Sequence, residues 1–457
     1  MYIRFLFVLV QFLGSATSRP NVVGQGYRPA AFQGPTTPRN VDTFFTLTAG
    51  INSRNGDLSG IAPANPLQKG HDWYTDLIVE GKTYPVVIDT GSSDTWIVKP
   101  NFTCLDYGTG APTSQSVCLF GPGYPPGSGF KRIPNQHFNT TYASGENLKG
   151  TFGFVDVTLG GISVIAQIAT VDTAAWLGDG TTSGLLGLAY PSITAAFNGT
   201  TFENDNAETQ RKWDYCSHFR GTNDKQFPMT LYLRLCTKKH LIPPIFSLAL
   251  SRPSNRIGHG NGYLALGGLP PIASHGAWAV APIQIVAIGE GYIQGALPWP
   301  QHQVYTLTPD NFIYPGSQRQ KWNPKHWSPL SMPSSSSQVQ LFIDSGTTLI
   351  FLPNTISSAL AALYKPPAVY NADLFAYSVP CNAKVPYFAV VIGGVSFPVD
   401  PRDMVQDDNT GTGNCVAGVS DGDPFDFYTL GDVFLKNVVV VFDVGASQLK
   451  FRSRNFY

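Results

Sequence analysis

Hydrophobic and polar positions alternate over short stretches along most of the chain, and turn residues separate the stretches. Alternation of this kind, rich in β-branched and aromatic residues, predicts strands. The first pair forms a predicted hairpin, with strands over 73–80 and 83–88 around a Gly81-Lys82 turn. Further strands are predicted at 150–159, 163–170, 263–266, 340–343, 387–392 and 437–442. Only 192–197 and 354–364 have a helical pattern, so the predicted fold class is mainly β.

Two polar segments, 201–228 and 315–339, interrupt the strand pattern and are predicted to be surface loops. The first 60 residues also lack strand periodicity. Residues 1–18 contain Arg4, then an apolar run and then a group of small residues, an order that is typical of a secretory signal peptide. Residues 19–60 are rich in Pro, Gly and polar residues, which indicates a propeptide or a disordered N-terminal extension. Secretion is therefore expected, with delivery to a vacuole as the alternative, and no membrane anchor is expected.

Composition narrows the functional classes. Lys plus Arg and Asp plus Glu number 30 each, so the chain lacks the basic surplus of a nucleic-acid binder. Only 13 % of residues are charged, while 29 Phe, 20 Tyr and 8 Trp can fill a large core. These numbers predict a turn-rich globular protein and exclude disorder of the whole chain.

The six cysteines fall into three local pairs, which favours sequential disulfides in an exported chain, although six cysteines allow fifteen connectivities. The pairs are Cys104 with Cys118, Cys216 with Cys236, and Cys381 with Cys415. No clustered Cys/His spacing supports a zinc site. Three sequons, at Asn101, Asn139 and Asn198, fit a secreted glycoprotein.

An internal repeat is the most informative feature. The first copy is Val86-Val-Ile-Asp89-Thr-Gly-Ser-Ser-Asp-Thr-Trp96, and the second is Gln340-Leu-Phe-Ile-Asp344-Ser-Gly-Thr-Thr-Leu-Ile350. Each copy is followed by a strand that ends in Gly, Leu185-Leu186-Gly187 in one half and Thr429-Leu430-Gly431 in the other. The repeat predicts two related halves that each supply one carboxylate.

Asp89 and Asp344 are the candidate catalytic residues. Asp is rarely placed at the end of an apolar strand unless it is hydrogen-bonded or paired. Two carboxyl groups about 3 Å apart cannot both ionise, so they share one proton. The ionised group can then deprotonate a water while the protonated group polarises a carbonyl, which hydrolyses an amide without a covalent intermediate.

The residues after each Asp are the expected support of this dyad. The glycines allow sharp turns and close approach. The hydroxyl next to each Asp can tie the two loops together, and the hydroxyl after each Gly can bond the outer carboxylate oxygen. The support residues are Thr90, Gly91, Ser92, Ser345, Gly346 and Thr347.

From about residue 72 to residue 454 the chain resembles the pepsin-type (A1) aspartic endopeptidases, of the fungal secreted kind. The resemblance implies a bilobal fold with two related β-barrel-like lobes, an N-terminal lobe over 61–268 and a C-terminal lobe over 269–457, with the active-site cleft between them. It implies hydrolysis of peptide bonds at acid pH, with preference for bulky apolar residues. It also implies polypeptide substrates, pepstatin-type inhibitors and a monomer, with no cofactor and no metal.

The same resemblance implies four substrate-binding residues. Tyr142 is the tyrosine of a flap that closes over the substrate, and Trp96 steadies its hydroxyl. Gly145 of the flap and Leu186 complete the set. Asp432 occupies the position of a family acid near the dyad, and an Asp that caps a turn is the alternative interpretation of it.

The chain also departs from the family pattern. Ala143 and Glu146 replace the usual Gly and Ser of the flap, and Ser183 replaces an Asp. The segment 19–60 has no Lys to place against the dyad, which leaves Arg54 or Lys69 as candidates for that contact.

Parts of the sequence also fit other functions. Gly418-Val-Ser-Asp-Gly422 matches a serine-hydrolase elbow, but no helix is predicted after it and the last His, His326, precedes it. A glycosidase would need carboxyl groups about 5 to 9.5 Å apart, wider than twin strand-end loops predict. The remaining rival is a catalytically silent pepsin-like binding or inhibitor protein. Such relatives usually lose an Asp or one of its flanking residues, and this chain keeps all of them.

Overall fold

The computed structural model describes residues 60–68, 70–199, 243–252, 262–285, 302–316, 339–408, 413–425 and 427–454. Several predictions concern residues outside these ranges. They are the signal peptide 1–18, the segment 19–60 apart from Gly60, the loop 201–228 and most of the loop 315–339. Lys69 and the predicted Cys216–Cys236 pair also lie outside them.

Short strands make up most of the described chain, which confirms the mainly β prediction. The strands of the first half are β1 (Gly60–Leu67), β2 (Asp72–Val79), β3 (Lys82–Asp89), β4 (Trp96–Leu105), β5 (Pro112–Thr113), β6 (Lys131–Thr141), β7 (Asn147–Leu159), β8 (Ile162–Ala175), β9 (Gly184–Gly187), β10 (Ala196–Asn198), β11 (Ile245–Ala249) and β12 (Gly262–Leu266).

The second half continues the same pattern with shorter strands. They are β13 (Ser274–Pro282), β14 (Thr306–Leu307), β15 (Asn311–Ile313), β16 (Leu341–Ile343), β17 (Ile350–Leu352), β18 (Val369–Asn371), β19 (Ala376–Val379), β20 (Ala389–Ile392), β21 (Val395–Pro398), β22 (Val405–Asp407), β23 (Cys415–Ala417), β24 (Val419–Asp421), β25 (Thr429–Leu430), β26 (Val438–Asp443) and β27 (Gln448–Arg454). The described α-helices are α1 (Gln115–Cys118), α2 (Asn354–Ala361) and α3 (Asp432–Leu435), and 3₁₀ turns lie at Pro191–Ile193 and Asp423–Phe425.

The internal repeat is present in the sheet topology as well as in the sequence. In the first half β3 runs parallel to β9, β9 runs antiparallel to β4, and β4 runs parallel to β8. In the second half β16 runs parallel to β25, β25 runs antiparallel to β17, and β17 runs parallel to β24. The two copies of the motif therefore build the same four-strand arrangement, with the Asp-Thr/Ser-Gly loop at the same place in each.

A shared sheet joins the two halves. Its strands are ordered β1-β12-β11-β26-β27-β13, so they come from the beginning, the middle and the end of the described chain. Phe246 on β11 stacks on Phe442 of β26 at 4.4 Å between ring centroids, which places an aromatic pair between strands of the two halves. Long-range pairing of this kind fixes the two dyad loops relative to one another. The predicted boundary between 268 and 269 remains a prediction.

One predicted element was wrong. The segment 192–197, predicted as a helix, forms a 3₁₀ turn followed by strand β10. The N–H groups that a helix would pair internally have tertiary partners, since Ala195 N–H donates to the Asp94 carboxylate and β10 pairs with β6. The other predicted helix is present as α2, and the predicted strands are present with shifts of a few residues at their ends.

Two of the three predicted disulfides are formed, Cys104–Cys118 and Cys381–Cys415. No helix within the described ranges is long and apolar enough to cross a bilayer. Of the sequons, Asn101 is exposed on β4 and Asn139 is half-buried on β6. Asn198 ends β10.

Candidate active site

Asp89 and Asp344 meet where the two halves face each other. Asp89 is the last residue of β3 and Asp344 follows β16 directly, and both are buried, at 0 % and 4 % exposure. The approach is close because Gly91 has no side chain. A Cβ at Gly91 would lie 2.7 Å from Oδ1 of Asp344, inside any real contact distance.

The two carboxyl groups are held in matching ways. Gly91 N–H donates to Oδ1 of Asp89 at 2.7 Å, and Gly346 N–H donates to Oδ1 of Asp344 at 2.8 Å. On the other oxygen, the Ser92 hydroxyl donates to Oδ2 of Asp89 in one half. In the other half the Thr347 hydroxyl donates to Oδ2 of Asp344 at 2.6 Å. Each carboxyl group therefore receives one backbone and one hydroxyl donor.

Thr90 and Ser345 clamp the two loops together. The Ser345 N–H donates to the Thr90 hydroxyl at 3.0 Å, and the Thr90 N–H donates to the Ser345 hydroxyl at 3.2 Å. Each hydroxyl also donates across the interface to a main-chain carbonyl, Thr90 to Ile343 and Ser345 to Ile88, both at 2.9 Å. Four reciprocal hydrogen bonds thus connect residues that are more than 250 positions apart in sequence.

The electrostatics favour one shared proton. Burial raises the pKa of Asp89 well above its usual value, and the charge of Asp344 raises it further. Burial also raises the pKa of Asp344, against the hydrogen bonds from Thr347 and Gly346, which lower it. The contact between the two carboxyl groups also raises the pKa of Asp89 and lowers that of Asp344. Adjacent buried carboxyl groups titrate as a unit, so a monoprotonated pair is the stable state over a wide range of pH.

Comparison with known proteins agrees with this geometry. The family described as eukaryotic aspartyl protease matches residues 78–453, most of the chain. The chain belongs to this family. The mainly β, two-lobed architecture of this aspartyl protease is shared with an aspartic proteinase from Irpex lacteus, whose structure aligns with a TM-score of 0.59 at 17 % identity and covers 87 % of this chain and 98 % of that one.

Curated relatives extend over nearly the whole length of this aspartyl protease. A protein of Aspergillus fumigatus named as a probable aspartic-type endopeptidase is 33 % identical over 93 % of this chain and 90 % of its own length. Rhizopuspepsin of Rhizopus chinensis is 25 % identical over 95 % of this chain and 91 % of its own length. The prediction of a pepsin-like aspartic endopeptidase of the fungal kind is confirmed at the level of the family.

The predicted flap is a hairpin made by β6 and β7, and its tip is Tyr142–Glu146. Trp96 Nε1–H donates to the Tyr142 hydroxyl at 2.7 Å, so the structure brings these two predicted residues together. Gly145 turns the tip with a φ of +94°, a conformation that L-residues other than Gly rarely adopt. Trp176 packs edge-on against both Tyr142 and Trp96, at 5.6 and 5.1 Å between ring centroids. The flap tip is therefore closed over an aromatic cluster.

Leu186 and Asp432 lie deeper. Leu186 on β9 is fully buried in the hydrophobic core opposite Ile88, and its substrate-binding role remains a prediction. Asp432 begins α3, and its N–H donates to the carbonyl of Thr347 at 2.8 Å. Its carboxyl oxygens are buried with no hydrogen-bond partner among the described residues, and burial raises its pKa well above the usual value.

The rival serine-hydrolase motif is excluded by its location. Ser420 lies within strand β24, is fully buried and donates its hydroxyl to the Phe375 carbonyl at 2.9 Å. It therefore has neither the strand-to-helix turn nor the exposure that a nucleophile elbow requires. Among the described residues, no group of three or more His, Cys, Asp or Glu is arranged to hold a metal ion.

Sequence reasoning missed two residues around the site. Asp94 is buried and accepts from the Thr194 hydroxyl at 2.8 Å and from Ala195 N–H at 2.7 Å, so it connects the dyad loop to the segment before β10. The repeat contained a signal for Asp94, because the first copy has this acid five residues after Asp89 and the second copy has Leu349 at the same position. Tyr107 contacts the flap tip through its hydroxyl, a contact with no signal in the sequence.

Proposed function

We propose that this protein hydrolyses peptide bonds by general acid–base catalysis, with Asp89 and Asp344 as the catalytic residues. The ionised carboxylate takes a proton from a water as the water oxygen attacks the peptide carbonyl carbon. The protonated carboxyl group donates to the carbonyl oxygen, which gives a tetrahedral diol. A proton then passes to the amide nitrogen, the C–N bond breaks, and an acid and an amine leave. No covalent intermediate forms with the enzyme.

The observation that carries this proposal is the pair of adjacent buried carboxyl groups in matched sets of donors. A monoprotonated pair contains both the base and the acid that the reaction needs. Burial and the charge of Asp344 raise the pKa of Asp89, so the pair keeps its shared proton in acid solution and loses it as the pH rises through that pKa. We therefore expect activity in acid and a decline toward higher pH.

The flap and residues 1–60 support finer proposals about substrate preference, localisation and processing. The aromatic side chains Trp96, Tyr142 and Trp176 support a preference for bulky apolar residues beside the scissile bond. We also propose polypeptide substrates, inhibition by pepstatin-type compounds and a monomeric state. Residues 1–18 support secretion or delivery to a vacuole, and 19–60 support a propeptide.

The test is hydrolysis of an unfolded protein from about pH 2.5 to about pH 7, with and without pepstatin. The variants are Asp89→Asn and Asp344→Asn, each of which leaves one carboxyl group and nearly the same shape. Asp76→Asn is the matched control, since Asp76 is an exposed Asp on β2. We expect acid-weighted cleavage by the parent and the control, blocked by pepstatin and absent from both dyad variants.

Two outcomes would contradict the proposal. Appreciable turnover by a folded dyad variant would remove that Asp from the mechanism. A folded and correctly processed parent that cleaves nothing at any pH would favour the pepsin-like binding protein, and the altered flap around Ala143 and Glu146 would be the first region to examine.

A further inference from the structure

The tip of the flap is tied down on both sides by side chains that do not contact the dyad. On one side the Tyr107 hydroxyl donates to the Ser144 carbonyl. On the other side Oε1 of Glu146 accepts the N–H of Leu177 at 2.9 Å. These two contacts are additional to the bond between Trp96 and Tyr142 and depend on different residues.

Glu146 is an unusual residue to find here, because its side chain is 1 % exposed. Burying a carboxylate is unfavourable unless donors replace its water. Two donors do so, since Oε2 also accepts the Ser144 hydroxyl at 3.0 Å. The same residue closes the turn, because its carbonyl accepts the Tyr142 N–H at 2.8 Å. Glu146 therefore makes hydrogen bonds within the flap tip and also connects the tip to the loop that contains Leu177.

Strand register explains why these residues meet. Asn147 of β7 pairs with Ala175 of β8, and Ala175 pairs with Leu105 of β4. The start of β7 is therefore aligned with the ends of β8 and β4 at one edge of the sheet. Glu146 directly precedes β7, Leu177 lies two residues after β8, and Tyr107 lies two residues after β4. The flap tip is consequently placed over the loops that leave β4 and β8.

The anchoring loops are themselves held firmly. The loop that contains Tyr107 is closed by the Cys104–Cys118 disulfide. The loop that contains Leu177 is bonded to the end of the same disulfide loop, since Gly180 N–H donates to the Leu119 carbonyl at 2.6 Å. The two loops therefore act as one support for the flap.

Space at the contact with Tyr107 is limited. A Cβ at Gly145 would lie 2.6 Å from the Tyr107 hydroxyl oxygen, so that position accepts only Gly while Tyr107 is in place. The negative charge of Glu146 also contributes to raising the pKa of Tyr142, after burial and the charges of Asp89 and Asp94. The clasp and the tyrosine of the flap are thus close enough to affect each other.

We propose that Glu146 and Tyr107 are positioning residues that form a clasp and hold the flap closed, with Tyr142 on Trp96. The inference rests on the proposed function, in which the flap covers the bound polypeptide. The clasp stabilises the closed flap over substrate, so its loss weakens substrate binding. It does not contact the reacting atoms, so the chemical step in a bound substrate is largely preserved.

The first measurement does not depend on hydrolysis. Hydrogen–deuterium exchange is compared in the full-length protein carrying Asp344→Asn, with and without Glu146→Ala. We expect peptides covering 140–148 and 174–180 to exchange about tenfold faster when Glu146 is removed, because a charged hydrogen bond at the tip is lost. Glu146→Gln keeps an oxygen for the Leu177 N–H and should change exchange by less than about threefold.

Two results would overturn the clasp. One is unchanged exchange in both segments after Glu146→Ala. The other is faster exchange that extends equally to the core strand β26, which would mean that Glu146 supports only global stability. Both results can be read even if the parent protein hydrolyses nothing, so a failure of the proposed function is distinguishable from a failure of the clasp.

Kinetics then test the consequence for binding. Glu146→Ala and Tyr107→Phe should each lower kcat/KM by about tenfold, mainly through a higher KM, and Glu146→Gln should restore most of it. Tyr364→Phe is the matched control, since the Tyr364 hydroxyl also donates to a main-chain carbonyl, that of Met404 at 2.7 Å in the other half. A fall in kcat at unchanged KM, or an equal effect of the control, would contradict the positioning role.

Discussion

Thr90 and Ser345 exchange hydrogen bonds across the junction of the two halves, each donating its N–H to the hydroxyl of the other. Their hydroxyls then donate to the carbonyls of Ile343 and Ile88 in the opposite loops. Because the two residues adjoin Asp89 and Asp344, the distance between the carboxyl groups is set by this exchange and by the missing side chain of Gly91.

Removing the Thr90 hydroxyl should therefore loosen both the fold and the dyad. Thr90→Val keeps the shape of the side chain but leaves the Ser345 N–H buried without its acceptor, which costs about 1–3 kcal/mol. We expect that loss in the free energy of unfolding by urea, together with a lower kcat. Thr90→Ser, which restores the hydroxyl, should recover most of both. Parent-like stability in Thr90→Val would show that the exchange contributes little.

A side chain at Gly91 should separate the carboxyl groups without unfolding the chain. In Gly91→Ala the new Cβ would press on the Asp344 carboxyl group, which lies 2.7 Å away, so the pair must move apart. We expect kcat to fall by at least about a hundredfold, and the free energy of unfolding to fall by only about 1–3 kcal/mol, the usual cost of overpacking a buried site. Gly268→Ala is the control, because a Cβ there meets nothing within 4 Å. Parent-like kcat in Gly91→Ala would contradict the need for close approach.

Asp94 should make the protein less stable near neutral pH than in acid. Burial raises its pKa from 3.8 to about 6, against the hydrogen bonds from Ala195 and Thr194. The folded chain therefore favours the protonated form, and its contribution is fully present below about pH 4 and is lost as the pH rises through about 6. The difference amounts to about 3 kcal/mol. Asp94→Asn removes the titration and keeps an acceptor oxygen.

The measurement is the free energy of unfolding by urea for the parent and Asp94→Asn at about pH 4 and about pH 7. The variant should gain stability relative to the parent only at the higher pH. Equal differences at both values would mean that Asp94 does not titrate in this range.

The mature chain should begin at or before Gly60. Strand β1 starts there, and Gly60–Ala64 pairs with Leu266–Gly262 in the sheet shared by the two halves. A Cβ at Gly60 would lie 2.6 Å from the Gly160 carbonyl oxygen, so this end of β1 is closely packed. Sequencing of the N-terminus of the purified mature protein checks the prediction. A stable, active form that begins after Ala64 would contradict it.

The sequence alone determined the class of the fold and the identity of the carboxyl pair. Alternating strands are a local pattern, and an Asp at the end of an apolar strand needs partners wherever it is buried. The repeat therefore predicted Asp89, Asp344 and the hydroxyl residues around them before their contacts were known. The flap tyrosine and Trp96 came from resemblance, and their hydrogen bond agrees with it.

Tertiary structure decided the rest, because the partners lie far apart along the chain. The segment 192–197 has helical periodicity, yet pairing with β6 and the Asp94 carboxylate makes it a turn and a strand. The contact of Tyr107 with the flap depends on the aligned ends of β4, β7 and β8, a register that no local pattern encodes. The raised pKa values likewise follow from burial, which depends on how the two halves pack.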